Sequence, residues 1–475
     1  MTEAQKRPAA GQAAHELVSP RDRRLILAMA MSGSLLGNIG FTGLNLALPG
    51  MERELSLSAA LLGWVPLSMF MAMAAVAAPG AKLADILGRR RTTIAALIVS
   101  LVGLAISALA WDAAGVLFGR VLAGLGVAMV FTNATSMVTS VHPPQMRGRV
   151  LGYTIASVYL GLSLGPVVCG YLVGWFGWRS VFWLSFAGFI PPLALILPVR
   201  VEQRPAQGQK LNGLSSFLWV ASVLCLFFGL PNITHLLPGG PIMVAVGLVL
   251  AWGYVRHSLT SENPVLDVRL FTASRRFAFS SLASFISYCA SMGTGFILSL
   301  YLQYTKGLPT ATAGLLLVAQ PVFMTILTPF AGRLSDRVDA GLMASFGMGV
   351  LCVTTVLLAV FLTPEASLTL FIVLSMLLGL GFAVFSAPNS NAIIGSAPPG
   401  QVGQASGILT AARLCGQVFS ISLTTLIFTV VIGPGEITPD RYPAFMEAAT
   451  LCLTIFAPIM FIGILASLAR GKRDA

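Results

Sequence analysis

The chain is 475 residues long, with 56% hydrophobic residues, only 10% charged residues and a formal net charge of +12. Soluble globular proteins carry about 25% charged residues, so this chain lacks the polar surface of a water-exposed fold, and lipid is expected to face most of its side chains. The basic residues fall in short clusters between apolar runs, a pattern of membrane orientation rather than of nucleic-acid binding.

A polar leader, residues 1–24, precedes a first apolar run of about 25 residues, longer than the ~7–15 of a signal-peptide core, so it reads as an uncleaved span. Windows of about 20 apolar residues predict fourteen spans, near 25–48, 61–79, 92–111, 114–139, 150–174, 179–199, 212–231, 241–257, 277–304, 311–331, 341–362, 367–392, 403–432 and 444–469. The expected organisation is an all-α membrane protein. A six-helix half (25–200) is followed by two additional helices (201–265), a second six-helix half (266–469) and a tail (470–475).

A cytoplasmic leader would put 23 of the 29 Lys and Arg residues on the cytoplasmic side, among them Arg89, Arg90, Arg91, Arg275 and Arg276. Only Arg53, Arg179, Lys306 and Arg441 fall outside, and Arg120 and Arg413 fall within spans. That asymmetry is the positive-inside pattern, and it predicts both termini on the cytoplasmic side of a bacterial-type inner membrane. The halves also repeat. Pro143-Pro144 with Gly148 and Gly152 recurs as Pro398-Pro399 with Gly403 and Gly407, and Gly124-Leu125-Gly126 as Gly379-Leu380-Gly381. Parallel halves of this kind place a substrate site between them at the membrane midplane.

In the turn after the second span lies Gly80-Ala81-Lys82-Leu83-Ala84-Asp85-Ile86-Leu87-Gly88-Arg89-Arg90-Arg91, with a shorter copy at Gly332-Arg333-Leu334-Ser335-Asp336-Arg337. Glycines let helix ends approach, and an acid can sit on a neighbouring helix N-terminus. Asp85 is expected to dock at the uncharged turn 397–404, and Asp336 near Gln145–Gly148. Arg120 lies inside the fourth span, where burying an arginine costs about 2.5–3.5 kcal/mol and calls for a use. Arg413 lies two to three turns inside the thirteenth span and reads as a snorkelling side chain. The fifth span contains Gly161-Leu162-Ser163-Leu164-Gly165-Pro166 and Gly170: small residues for close packing and a proline that bends the helix.

The Gly80–Arg91 run resembles the signature loop of the major facilitator superfamily. The surroundings of Arg120, the fifth span and the Trp178-Arg179 turn resemble those of its fourteen-span drug/proton antiporters. The resemblance covers about residues 25 to 469 and implies a secondary transporter working by alternating access. It further implies proton coupling at Arg120 and export through the Gly161–Gly170 helix. The chain departs from that pattern in the first span, where Gly40 stands in the place of an acid.

Arginine does not titrate, so Asp112 and Glu447, at span boundaries, are the candidate proton carriers. Substrate-cavity candidates are Asn38, Thr42, Asn45, Asn133, Tyr159, Tyr288, Gln320 and Asn389. A mostly apolar cavity with a few polar groups suits small amphipathic compounds, and without a buried acid, neutral or anionic ones. The six cysteines all lie in apolar stretches without metal-ligand spacing, and no hydrolase or P-loop motif appears. No enzyme activity, cofactor or metal is expected. The expected reading is a monomeric, proton-driven exporter; the alternative is a dedicated metabolite carrier of the same superfamily. A channel would require a continuous polar or charged ring, and none is visible.

Overall fold

The structure is a computed structural model that describes residues 18–234, 237–335, 338–396, 402–433 and 435–471, apart from the side chains of residues 144, 145, 147, 148 and 402. Fourteen segments among them are helical, long and apolar enough to cross a membrane. The first half comprises α1 (Pro20–Leu55), α2 (Ala59–Leu87), α3 (Arg89–Leu109), α4 (Ala113–Val141), α5 (Pro144–Phe176) and α6 (Arg179–Ile196). The additional pair is α7 (Gly213–Gly229) and α8 (Gly239–Thr260). The remainder is a short connector α9 (Arg269–Ala273), then α10 (Arg275–Leu300), α11 (Thr310–Leu317), α12 (Ala319–Leu334), α13 (Ala340–Phe361), α14 (Leu368–Gly395), α15 (Val402–Val431) and α16 (Tyr442–Leu468). A π-helical turn, Tyr301–Thr305, extends α10, and α11 with α12 makes one span broken at Val318.

Local chemistry sets several of these ends. Ser19 caps α1, its hydroxyl accepting from the Asp22 amide at 3.1 Å, with Pro20 in the first turn where a missing N–H costs nothing. Asp112 caps α4 through the Gly115 amide at 2.8 Å. Pro49 does not end the first span: α1 runs on to Leu55, and Arg53 Nε bonds the Pro49 carbonyl at 3.2 Å.

Within the first half α1 packs along α5 and α6, and α4 along α2 and α3; within the second, α10 packs along α15 and α16, and α14 along α12 and α13. The halves meet along two seams, α2 with α15 and α5 with α11 and α12. The additional pair lies over the first seam. Trp219 Nε1 of α7 donates to the Ala74 carbonyl of α2 at 3.2 Å, and Ser422 of α15 donates to the Phe227 carbonyl of α7 at 3.4 Å. The turns bearing Arg89–Arg91 and Arg275–Arg276 share one end of the bundle, the basic face.

Candidate functional site

At the face opposite the basic one, the halves are fastened through Glu52, which is 2% exposed near the end of α1. The Tyr304 hydroxyl donates to its Oε2, and the Ile437 amide donates to its Oε1 at 2.5 Å. Both partners belong to the second half. The Tyr304 ring is itself held at 6.0 Å from those of Tyr442 and Phe445. Beside this, the Ala59 amide at the start of α2 donates to the Gly435 carbonyl at 2.9 Å.

Helix α5 is built for close approach on two sides. A Cβ at Gly161 would strike the Leu35 carbonyl, and one at Gly165 the Thr42 hydroxyl, both on α1. Further along, a Cβ at Gly170 would lie 2.8 Å from the Thr310 carbonyl of α11, and one at Gly314 of α11 would overlap the Pro166 carbonyl. The same short-residue stripe therefore seats α5 within its own half and against the other one. Toward the basic face the picture changes: Gly152 on α5, Gly332 on α12 and Gly395 on α14 each face open space.

Midway along the bundle, side chains of both halves converge. The Ser163 and Thr325 hydroxyls pair at 3.1 Å across the α5–α12 seam. One turn away, the Tyr159 side chain lies near Thr328 of α12, Ser386 of α14, Tyr288 and Arg413, and its carbonyl is 3.5 Å from the Thr325 hydroxyl. The guanidinium of Arg413 lies 5.6 Å from the Tyr288 ring centroid and donates to Ser390 at 2.6 Å. Arg120 is 4% exposed, its Nε donating to the Val65 carbonyl of α2 at 3.2 Å, while its Nη2 is buried without a partner.

On the basic face, Asp85 pairs with Arg89 at 2.8 Å, and Arg89 also donates to the Ser136 carbonyl of α4 at 3.0 Å. Gly88 takes φ +118, a conformation open to glycine, and a Cβ there would lie 2.5 Å from Glu202. Glu202, in the linker after α6, accepts from the Arg90 amide at 2.9 Å, while Arg90 Nη2 caps the Leu197 carbonyl at 2.6 Å. Gly80 packs on Met129 of α4. Asp336 and Arg337, and most of the turn proposed to receive Asp85, lie outside the described residues, as do the side chains of Gln145, Arg147 and Gly148.

Several sequence candidates occupy different surroundings from those expected. Asp112 and Glu447 are both exposed on the protein surface, and Asp112 caps α4. Asn133 is buried between α4 and α3, donating to Thr92 and Thr93 at 3.2 Å. Asn38 and Thr42 bond carbonyls of their own helix, Ser34 at 2.7 Å and Asn38 at 2.9 Å, and face α5. Asn389 links α14 to the Ser280 carbonyl of α10 at 3.1 Å, with its Oδ1 buried and unpartnered. Asn45 and Gln320 are half-buried. Of the eight cavity candidates, Tyr159 and Tyr288 are the two that come together. Glu52, Tyr304, Glu202 and Ser390 went unnoticed in the sequence. The signal for Glu52 was its place one turn past Pro49 in a helix that could continue.

Fourteen spanning helices, in two packed halves that meet along two seams and share a polar midplane, define a multi-pass membrane transporter. The Major Facilitator Superfamily sequence profile matches residues 30–261 and 280–474, and the chain belongs to that family. It is 23% identical over 450 residues to the riboflavin transporter RibZ of Clostridioides difficile, covering 94% of this chain and 97% of that protein. It is 26% identical over 387 residues to the multidrug resistance protein Stp of Mycobacterium tuberculosis, covering 80% and 71%. Among solved structures, an auto-inhibited peptide transporter of the POT family superposes with a TM-score of 0.72 at 17% identity, covering 96% of this chain and 98% of that one.

Proposed function

We propose that the protein is a proton-driven exporter of small amphipathic organic compounds in a bacterial-type inner membrane. It would work as a monomer with the basic face and both termini in the cytoplasm. The observation that carries this reading is the double-sided seat of α5. Gly161 and Gly165 fix it to α1, and Pro166 and Gly170 close it on α11. A seam of small residues can part and re-form without leaving side chains to repack, as rocking halves require. The likeness to antiporters in that same segment, and to a multidrug resistance protein along most of the chain, supports the outward direction. The closed seam at Glu52 then corresponds to the outer gate, with the substrate bound in the layer of Tyr159, Tyr288 and Arg413. Glu52 is the carboxylate that lies between the halves, and we assign proton sensitivity to it rather than to Asp112 or Glu447. Arg120 supplies a fixed charge nearby in the first half.

A dedicated metabolite carrier is the second reading, favoured by the riboflavin transporter's near full-length match. Everted vesicles presented on the outside with a panel of fluorescent amphiphiles separate the two. Uptake of several unrelated compounds on acidifying the vesicle lumen is the expected result. Uptake of a single compound supports the carrier, and movement down a substrate gradient without any response to pH rules out proton-driven export.

A further inference from the structure

The two arginines inside the spans have different surroundings. Arg413 stands roughly 16 Å along α15 from Val402, well inside the membrane-spanning stretch. The ion pairs among the described residues are Arg89–Asp85, Arg91–Glu202, Arg179–Glu54 and Arg269–Asp267, and none compensates it. A snorkelling arginine would carry its head into water. Arg413 instead lies on the Tyr288 ring, gives one hydrogen bond to Ser390, and has its Nε buried with no partner. Ser390 passes its own proton to the Ser386 carbonyl at 2.5 Å, so its oxygen presents a lone pair to the guanidinium. Ser386 also lies near Tyr159 of the first half.

A guanidinium offers five N–H donors in a fixed fork, matched to the two oxygens of a carboxylate or sulfonate. Here a hydroxyl and an aromatic ring are the partners of the half-buried guanidinium, and no carboxylate among the described residues pairs with it. The neighbouring aromatic surface continues from Tyr288 to Phe382, ring centroids 5.8 Å apart and edge to face. Charge and aromatic wall together describe a ligand with an anionic head on an apolar ring.

We propose that Arg413, Ser390 and Tyr288 form an anion-recognition subsite, and that the carried compounds are aromatic organic monoanions held head-first at Arg413. The assignment rests on the transporter reading given above, which places substrate in the layer of Tyr159, Tyr288 and Arg413, and it narrows the substrate class of that site. Tyr159 of the first half lies beside the same group of side chains.

Three probes sharing one ring test it: 1-naphthoate, its neutral amide and 1-naphthylmethylammonium, titrated into the purified full-length protein. Wild type is expected to bind the naphthoate about tenfold more tightly than the amide and the ammonium least. Arg413→Gln is expected to bring the naphthoate-to-amide ratio close to one, and Arg413→Lys, which keeps the charge but not the fork, to leave an intermediate ratio. Melting temperatures within a few degrees of wild type exclude misfolding; should Arg413→Gln not fold, the wild-type ranking and the lysine variant decide. Equal binding of naphthoate and amide by wild type, including no binding of either, overturns the proposal, as does a preference that survives Arg413→Gln. Proteoliposome transport of the same probes is a separate readout. Arg413-dependent binding without transport would sink the exporter reading alone. Charge-blind export of all three would sink the anion subsite alone.

Discussion

Glu52 of α1 and Tyr304 at the end of α10 share a hydrogen bond that fastens the two halves at the face opposite the basic turns, and the Ile437 amide takes the other carboxylate oxygen. Both partners donate, so the ionised carboxylate is the form that satisfies them. The Glu52→Gln amide keeps one acceptor and sets a donor against a donor. Hydrogen bonds to charged groups contribute about 1.5–3 kcal/mol each, so the open-to-closed ratio at this face is expected to rise tenfold or more. Tyr304→Phe should give a smaller rise. Spin labels at the exposed Trp111 and Glu365 would report it as a longer distance. An unchanged distance distribution in Glu52→Gln removes the gate.

The same carboxylate makes this face responsive to pH. Other groups acting on Glu52 are Tyr304 from the second half, Glu436 in the adjoining loop and Arg53 on its own helix. The label distance is expected to change with pH in wild type and to stay fixed in Glu52→Gln. A pH response of equal size in that variant would place the titrating group elsewhere.

Gly314→Ala puts a methyl group into the Pro166 carbonyl, and backbone cannot swing aside as a flexible side chain can. Overpacking of this kind costs about 1–3 kcal/mol, charged here against the closed state alone. Transport by vesicles containing Gly314→Ala is expected to fall several-fold or more with normal membrane insertion. Gly152→Ala, which faces open space, serves as the control and should transport like wild type. Equal activity in the two variants would show that the α5–α11 seam does not have to close this tightly.

Arg120 separates stability from function. Its buried Nη2 has no partner, so Arg120→Leu replaces an uncompensated charge by packing and is expected to melt at or above the wild-type temperature. Transport driven by a pH gradient should be abolished. A destabilised Arg120→Leu with proportionate residual transport would make Arg120 a structural residue.

Glu202 pins the turn between α2 and α3 by accepting the Arg90 amide. Removing it in Glu202→Ala orphans that donor, worth about 1–3 kcal/mol where the group is buried. Faster amide hydrogen exchange across residues 88–91 and a lower melting temperature are expected. Exchange as slow as in wild type would show that the remaining contacts, among them the Arg89 amide to the Gln203 carbonyl and Arg90 to the Leu197 carbonyl, hold the turn without Glu202.

The spans were legible because a bilayer demands length and apolarity, and both can be read from composition along the chain. The ends were less so. Apolarity puts the first span near 25–48, yet α1 runs through Pro49 to Leu55 and carries Glu52 into the interface. The break at Val318 left no gap in the apolar run, since apolar residues flank it on both sides. Side-chain direction was the real blind spot. In helices apolar on every side, the periodicity that marks an inner face of a soluble helix is washed out. Asn133 and Tyr159 therefore looked alike, although Asn133 serves α3 and Tyr159 crosses to the other half. The glycines of α5 were readable as packing residues, but the sequence could not say that Gly170 meets a different half from Gly165.

The additional helix pair lies over one seam and leaves the other uncovered. Trp219 and Phe227 tie α7 to both α2 and α15, so the additional pair stands between that seam and the lipid. On the other flank α5 and α11 meet lipid directly, with Trp175 and Tyr171 exposed beside the joint. A compound dissolved in the bilayer thus finds two unequal sides to the protein. The molecule therefore has a front and a back within the plane of the membrane.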